Sequence, residues 1–397
     1  MTTQLKCKEC SQCYPGEAIY ACPECFAPLE VDYPPKKLSG AQLRKRVIDG
    51  PDNIWRYHDF LPLAPAREKL PVGNTPLLRA DGLAERLEID AEIWIKNETS
   101  NPTHSFKDRV TAVASAAAIE LGYDTLACAS TGNLANSVAA RAAAEGLDAY
   151  VLVPDSLEKQ KLLATEALGA RVITIPGSYD KVNRICQQLA EEKDWGFVNI
   201  NLRPFYSQGS KTIAYEIIEQ LGWQQPDRVV CPAASGSLFT KIAAGIREWQ
   251  ADDLITDHGL PVFHAAQARG CDPIASAWAA GHGACDPQRP DTIAHSLAIG
   301  DPADGIYALG LAEESGGSVL SVTDAEIIDG IRLLAETTGV FTETAGGVTT
   351  AVLAKLAAAG EIQAGEKVVA VITGDGFKTI DVLEESASFT TWDQFDA

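Results

Sequence analysis

From about residue 90 onward the chain alternates continuous apolar runs of strand length with alanine-rich helical stretches. AEIWIKN, TLACAS, AYVLVP, RVITIP and WGFVNI come first, and RVVCPA, VFHAAQA and KVVAVITG follow. A strand buried on both faces loses the alternation of a half-exposed one, so these runs predict parallel sheets covered by helices. Roughly 300 residues of this pattern exceed one comfortable sheet, and two α/β lobes with a cleft between them are expected. The smaller lobe is placed at roughly 108–210 and the larger at roughly 50–107 plus 211–397, within a region spanning 35–397. A short polar helix, GAQLRKRV, precedes them, and the aromatic stretch NIWRYHDFLP is expected as a packed loop.

The first 34 residues break this rhythm. Cys7 and Cys10, then Cys22 and Cys25, form two CxxC knuckles separated by 11 residues, with short β-prone pieces between them. Each knuckle directs two thiolates to one point, and two knuckles close a tetrahedral Zn²⁺ site with no open position. A structural zinc ribbon over 1–34 is expected, with Cys13 as a spare and Pro34-Pro35-Lys36-Lys37 as its exit linker. The other five of the ten cysteines are scattered and read as buried small hydrophobes.

The stretch NPTHSFKDRV places a lysine where a helix begins. Ser105 is a suitable N-cap and Asp108 can complete a capping-box-like pairing, after which VTAVASAAAIEL carries the helix to a stop at Gly122. Lys107 then sits at the positive end of the helix dipole, which disfavours an ammonium. Two explanations remain open at this point: a solvated lysine tolerated at small cost, or an amine kept neutral to attack a carbonyl.

Three loops at strand ends bear on that choice, since ligands in α/β sheets bind beyond the carboxyl ends of the strands. TLACAS runs into Ser130-Thr131-Gly132-Asn133, which offers hydroxyls and free N–H groups to an anion. RVVCPA runs into Ala234-Ser235-Gly236-Ser237-Leu238, a small-residue loop suited to cradling one phosphate at a helix start. KVVAVIT ends at Thr373, followed by Gly374-Asp375-Gly376-Phe377-Lys378. Gly209-Ser210-Lys211-Thr212 lacks the glycine directly before the lysine that a Walker A loop needs, and no GxGxxG follows the first strand. A phosphate cradle, an anion loop and an amine nucleophile together are the parts that a phosphorylated aldehyde such as pyridoxal phosphate requires.

Composition removes alternatives. The chain has 397 residues, 46% hydrophobic and 22% charged, with a net charge of −21. That balance opposes a broad nucleic-acid surface, no run approaches the roughly 20 apolar residues of a membrane span, and MTTQLKCKEC has no apolar signal core. A cytoplasmic protein is expected.

With GNTPLL, NPTHSFKDRV, ASTGNLANSVAA, NINLRPFYSQGSKTIAYE, ASGSLFTKI, TIAHSLAIGDPADG, GVFTETAGGVTTAVL and VITGDGFKT in order, the sequence resembles the fold-type II pyridoxal-phosphate enzymes. Within them, TIAHSLAIGDPADG together with GVFTETAGG is most similar to the threonine synthase family. The resemblance implies a two-lobed fold like that of the tryptophan synthase β subunit, and a homodimer. It implies that Lys107 forms the Schiff base with the cofactor, that Asn133 binds its phenolic oxygen and that Thr373 faces its ring nitrogen. Ser235, Gly236, Ser237 and Leu238 would hold its phosphate. Ser130, Thr131 and Gly132 would take the substrate carboxylate, and Ser105, Arg203 and Lys211 the substrate phosphate. The implied reaction converts O-phospho-L-homoserine and water to L-threonine and phosphate. Cysteate synthases and serine/threonine dehydratases share the lysine and parts of the loops, and a zinc-ribbon regulatory protein on an inactive enzyme fold is the alternative from another class. His104 and the ASGS loop depart from common family patterns, and His104 is expected to cap or pack.

Overall fold

The structure is a computed structural model describing residues 3–63, 65, 67–130, 132–155, 162–177 and 179–386. Its N-terminal unit is a three-stranded antiparallel sheet of β1 (Gln4–Cys7), β2 (Cys13–Pro15) and β3 (Leu29–Asp32), with β1 in the middle. The larger sheet has six strands: β4 (Leu77–Arg79), β5 (Glu92–Asn97), β10 (Arg228–Pro232), β11 (Val262–Ala268), β12 (Ser318–Val322) and β13 (Lys367–Ile372). Their order is β12-β11-β10-β13-β5-β4, parallel except where β4 runs against β5. The smaller sheet is parallel throughout, in the order β8-β7-β6-β9, from β6 (Thr125–Ala129), β7 (Asp148–Pro154), β8 (Arg171–Ile175) and β9 (Gly196–Phe197).

The apolar runs explain this architecture. Every residue of β6 is buried, as are Val229 to Pro232 of β10 and Val368 to Ile372 of β13, because helices cover both faces. Three expectations need correction. NIWRYHDFLP is a 3₁₀ helix at Ile54–Phe60, held by the Asn53 side chain accepting from the Trp55 N–H. WGFVNI pairs through only Gly196 and Phe197, because the backbone then turns and Ile200 and Leu202 bond back to the Phe197 carbonyl. The helix at Lys107 begins without Ser105 as its cap: Phe106 occupies the N-cap with no side-chain bond, and Asp108 accepts from the Thr103 N–H at 2.7 Å and hydroxyl at 2.6 Å.

A buried ion cluster fixes the base of that helix. Arg109 donates to Glu98 at 2.6 Å and 2.8 Å and to Glu216 at 2.6 Å, while Lys96 donates to Glu216 at 2.7 Å. All four side chains are essentially inaccessible. Burial opposes both ions of the Arg109–Glu216 pair, and their mutual attraction outweighs it: the Arg109 pKa goes up and that of Glu216 down. Two cations balance two carboxylates, and removing one partner from such a set costs about 3–5 kcal/mol. The cluster ties the end of β5, the helix Lys107–Glu120 and the helix Lys211–Gln220 together, two residues from Lys107.

Candidate active site

Three of the expected loops leave adjacent strands of the larger sheet. The lysine loop follows β5, Thr373 follows β13 and the ASGS loop follows β10. The loop carrying Asn133 follows β6 of the smaller sheet.

The lysine loop is sewn to the end of β13. Phe106 N–H donates to the Thr373 carbonyl at 3.0 Å, Asp375 N–H donates to the His104 carbonyl at 3.1 Å, and Ser105 bridges Gly374. His104 adopts φ +60° and is exposed, with its ring Nδ1 3.2 Å from the Thr99 carbonyl, so it fits a packing role within the loop. Lys107 Nζ lies over the Phe106 ring at 4.4 Å and the Tyr206 ring at 5.8 Å, half-buried between aromatic walls. The Ser105 hydroxyl is fully buried and has no hydrogen-bond partner, which marks a place where a polar group belongs.

Asn133, the first residue of the helix Asn133–Glu145, reaches across to the larger sheet. Its Nδ2 donates to Glu343 Oε1 at 3.0 Å and Oε2 at 2.9 Å, and its Oδ1 accepts from Lys378 Nζ at 2.6 Å. Lys378 also donates to the Thr103 carbonyl of the lysine loop. Burial raises the Glu343 pKa, against the Asn133 hydrogen bond and the nearby Lys378 and Lys107 charges. Gly374 makes room for that carboxylate, since a Cβ there would lie 2.4 Å from Glu343 Oε1.

The ASGS loop ends in Gly236 at φ +90°, immediately before the helix Ser237–Ala251, which has no side-chain cap. Its first-turn N–H groups therefore have no partner within the helix and point where an anion would sit. Asp304 backs the loop: its N–H donates to the Ser235 carbonyl at 2.9 Å, and a Cβ on Gly236 would come within 2.8 Å of the Asp304 carbonyl. The Asp304 carboxylate pairs with Arg203 at 2.7 Å, which sets one edge of that guanidinium beside the loop.

Ser130 and Gly132 lie at the β6 end, with Gly132 N–H 3.4 Å from the Ser130 hydroxyl, while Thr131 lies outside the described residues. Lys211 is not brought to the cluster. Its ammonium is buried against Glu248 at 2.8 Å and the Phe60 carbonyl at 3.0 Å, 4.1 Å from the centre of the Tyr33 ring. An ammonium committed this way is no free phosphate ligand, so the expectation placed on Lys211 is corrected. Reading the sequence missed Glu343, Lys378 and Asp304 as individual residues, although TETAGG, DGFKT and GDPADG had marked their segments.

The cysteine ribbon is a separate centre. The sulfurs of Cys7, Cys10, Cys22 and Cys25 all lie within 4.8 Å of one another. Cys7 and Cys25 are 3.4 Å apart and Cys10 and Cys22 3.6 Å, close to the about 3.8 Å edge of a tetrahedron with 2.3 Å metal–sulfur bonds. Cys13 is exposed, with its sulfur 3.8 Å from the Ser11 carbonyl and outside that group. The ribbon touches the catalytic region through Tyr307, which donates to Glu9 at 2.6 Å, and through Lys8 and Glu30, which face Asp304 and Lys241.

Residues 69–374 match the model of the pyridoxal-phosphate dependent enzyme family. The chain belongs to the fold-type II pyridoxal-phosphate enzymes. A threonine synthase of Methanocaldococcus jannaschii is 38% identical over 385 residues, which cover 95% of this chain and 93% of that one. A threonine synthase of Methanosarcina acetivorans is 36% identical over 390 residues, covering 96% and 94%. Among solved structures, the processed form of threonine deaminase isoform 2 from Solanum lycopersicum aligns with a TM-score of 0.66 at 21% identity, over 92% of this chain and 98% of that one. This last likeness concerns the fold alone.

Pyridoxal phosphate is the cofactor of this enzyme family, and the residues present suit it. The Gly236 turn opens onto free helix N–H groups, Lys107 offers an amine, and the unpartnered Ser105 hydroxyl belongs to a residue whose backbone is bridged to Gly374 just beyond β13. No described helix is long and apolar enough to cross a membrane.

Proposed function

We propose that the protein is a threonine synthase, converting O-phospho-L-homoserine and water to L-threonine and phosphate. The observation that carries this reading is the near full-length similarity to two archaeal threonine synthases, over a chain that keeps Lys107, Asn133 and Thr373 at strand ends. When bound, the cofactor supplies an electron sink for charge developing at the substrate α-carbon.

The chain's own residues do the rest. Lys107 binds the cofactor, then takes the α-proton of the substrate and returns protons to the carbon skeleton as a general acid. Ser235, Gly236, Ser237 and Leu238 hold the cofactor phosphate at the helix start, Asn133 meets its phenolic oxygen, and the Thr373 hydroxyl faces its ring nitrogen. Ser130, Thr131 and Gly132 receive the substrate carboxylate. Arg203 and Ser105 receive the substrate phosphate, Arg203 with the guanidinium edge that Asp304 leaves free. The four thiolates of Cys7, Cys10, Cys22 and Cys25 hold a structural Zn²⁺. The enzyme works in the cytoplasm as a homodimer, without nucleic acid or membrane partners.

The test is phosphate release from O-phospho-L-homoserine by purified enzyme loaded with pyridoxal phosphate, with threonine measured in the same samples. Equal amounts of phosphate and threonine, both abolished in Lys107→Ala, are the expected result. No phosphate, with ammonia from threonine or serine instead, would make the protein a dehydratase. Sulfite-dependent phosphate release from phosphoserine would make it a cysteate synthase, and the absence of any turnover would favour an inactive regulatory protein.

A further inference from the structure

Asn133 meets its neighbours through an amide whose two ends have nearly the same shape and opposite hydrogen-bonding character. Which end faces the cofactor therefore depends on what holds the other end. Glu343 does not fix this alone, because a buried carboxyl can accept or, once protonated, donate. Lys378 does fix it. Its Nζ sits between the Thr103 carbonyl and Asn133 Oδ1, at 2.6 Å from the latter, and a carbonyl can only accept. A flipped Asn133 would set its NH₂ against an ammonium that has only donors.

Lys378 also joins three segments far apart in sequence. It lies just beyond the Thr373 strand end, bonds the lysine loop two residues before Ser105, and grips the first residue of the helix that follows β6. It is half-buried, and burial lowers its pKa against the charges of Glu343, Asp108 and Asp375.

We infer that Lys378 is a positioning residue: it sets the Asn133 amide so that Nδ2, which meets Glu343, is the donor end presented to the cofactor, and ties that donor to the lysine loop. The inference rests on the proposed placement of Asn133 at the cofactor's phenolic oxygen. Lys378 itself touches neither cofactor nor substrate in this role.

The test is a double-mutant cycle read as pyridoxal phosphate affinity, by titrating apo-protein and following the visible absorbance band. Lys378→Met is expected to weaken binding roughly tenfold in the parent and less than twofold in an Asn133→Ala background. Lys378→Gln, which keeps a donor for both carbonyls, is expected to stay within about threefold of the parent. Melting of the apo-protein checks that each variant folds, and if Lys378→Met does not fold, the cycle is run with Lys378→Gln against Lys378→Leu. Equal losses in the two backgrounds, or no loss for any Lys378 variant, would overturn the inference and leave the cofactor placement standing. If Asn133→Ala alone bound cofactor as tightly as the parent, the placement and the inference would fall together.

Discussion

The two centres of this protein are built in opposite ways. The cysteine ribbon draws its four thiols from residues 7 to 25, and short strands and turns alone bring them within 4.8 Å. The cofactor cleft draws on residues from Ser105 to Lys378, and its contacts join positions as distant as Thr103 and Lys378. A site written by local spacing needs little of the fold. A site assembled from four strand ends needs both sheets in place and the buried Arg109 cluster beneath them. The first centre should therefore fail alone, while the second should fail with the fold or through a few groups that touch the cofactor.

The largest expected effect is chemical. Lys107→Ala removes the amine that moves protons, and turnover should fall by at least roughly 10²–10⁴-fold while zinc content per chain stays that of the parent. Steady-state kinetics and metal analysis on one preparation check both halves. A residual activity within tenfold of the parent would put the amine elsewhere. Next comes the frame of the cleft. Arg109→Met leaves Glu98 and Glu216 with only Lys96 between them and should cost about 3–5 kcal/mol in urea denaturation. A cost under 1 kcal/mol would mean that the cleft does not lean on that cluster.

The ribbon should fail more narrowly. Cys22→Ser is expected to abolish zinc binding and hydrogen-exchange protection over β1–β3, with protection in the helix Lys107–Glu120 retained. Loss of protection in both would erase the distinction between the two centres. The smallest effect concerns one turn. Gly236→Ala must hold φ +90° with a Cβ 2.8 Å from the Asp304 carbonyl, a strain of about 1–3 kcal/mol that should appear as roughly tenfold weaker cofactor binding. An absorbance titration reads it, and unchanged affinity would show that the loop can shift without loss.

The same contrast decides what could be read from the sequence. Both CxxC knuckles announce themselves, because ligand geometry depends on neighbours within a few residues. Most strands of the two sheets are equally plain as continuous apolar runs. β12, with the sequence SVLSV, was not, because it is a half-buried edge strand carrying two serines. Three-residue β4 is too short to leave a pattern. In the cleft, Lys107 stood out as a cation at a helix start, and Lys211 entered only through the resemblance; packing separates them, since one lies between aromatic rings at the strand ends and the other is paired with Glu248. Glu343, Lys378 and Asp304 lie in segments that the motifs mark, but nothing local singles them out within those segments. Their importance comes from partners 210, 245 and 101 positions away, a relation that spacing along the chain cannot express.

Asp304 has a bearing on ancestry as well as on chemistry. Its backbone supports the ASGS loop, its carboxylate holds Arg203, and Lys8 of the ribbon approaches the same carboxylate at 3.9 Å while Glu30 pairs with Lys241. A ribbon traded for another of the same metal-binding quality would take Glu30 from Lys241 and leave Asp304 with Arg203 but without Lys8. The N-terminal unit is thus poorly suited to shuffling between chains, and substitutions on its inner face are expected to be inherited together with those around Asp304.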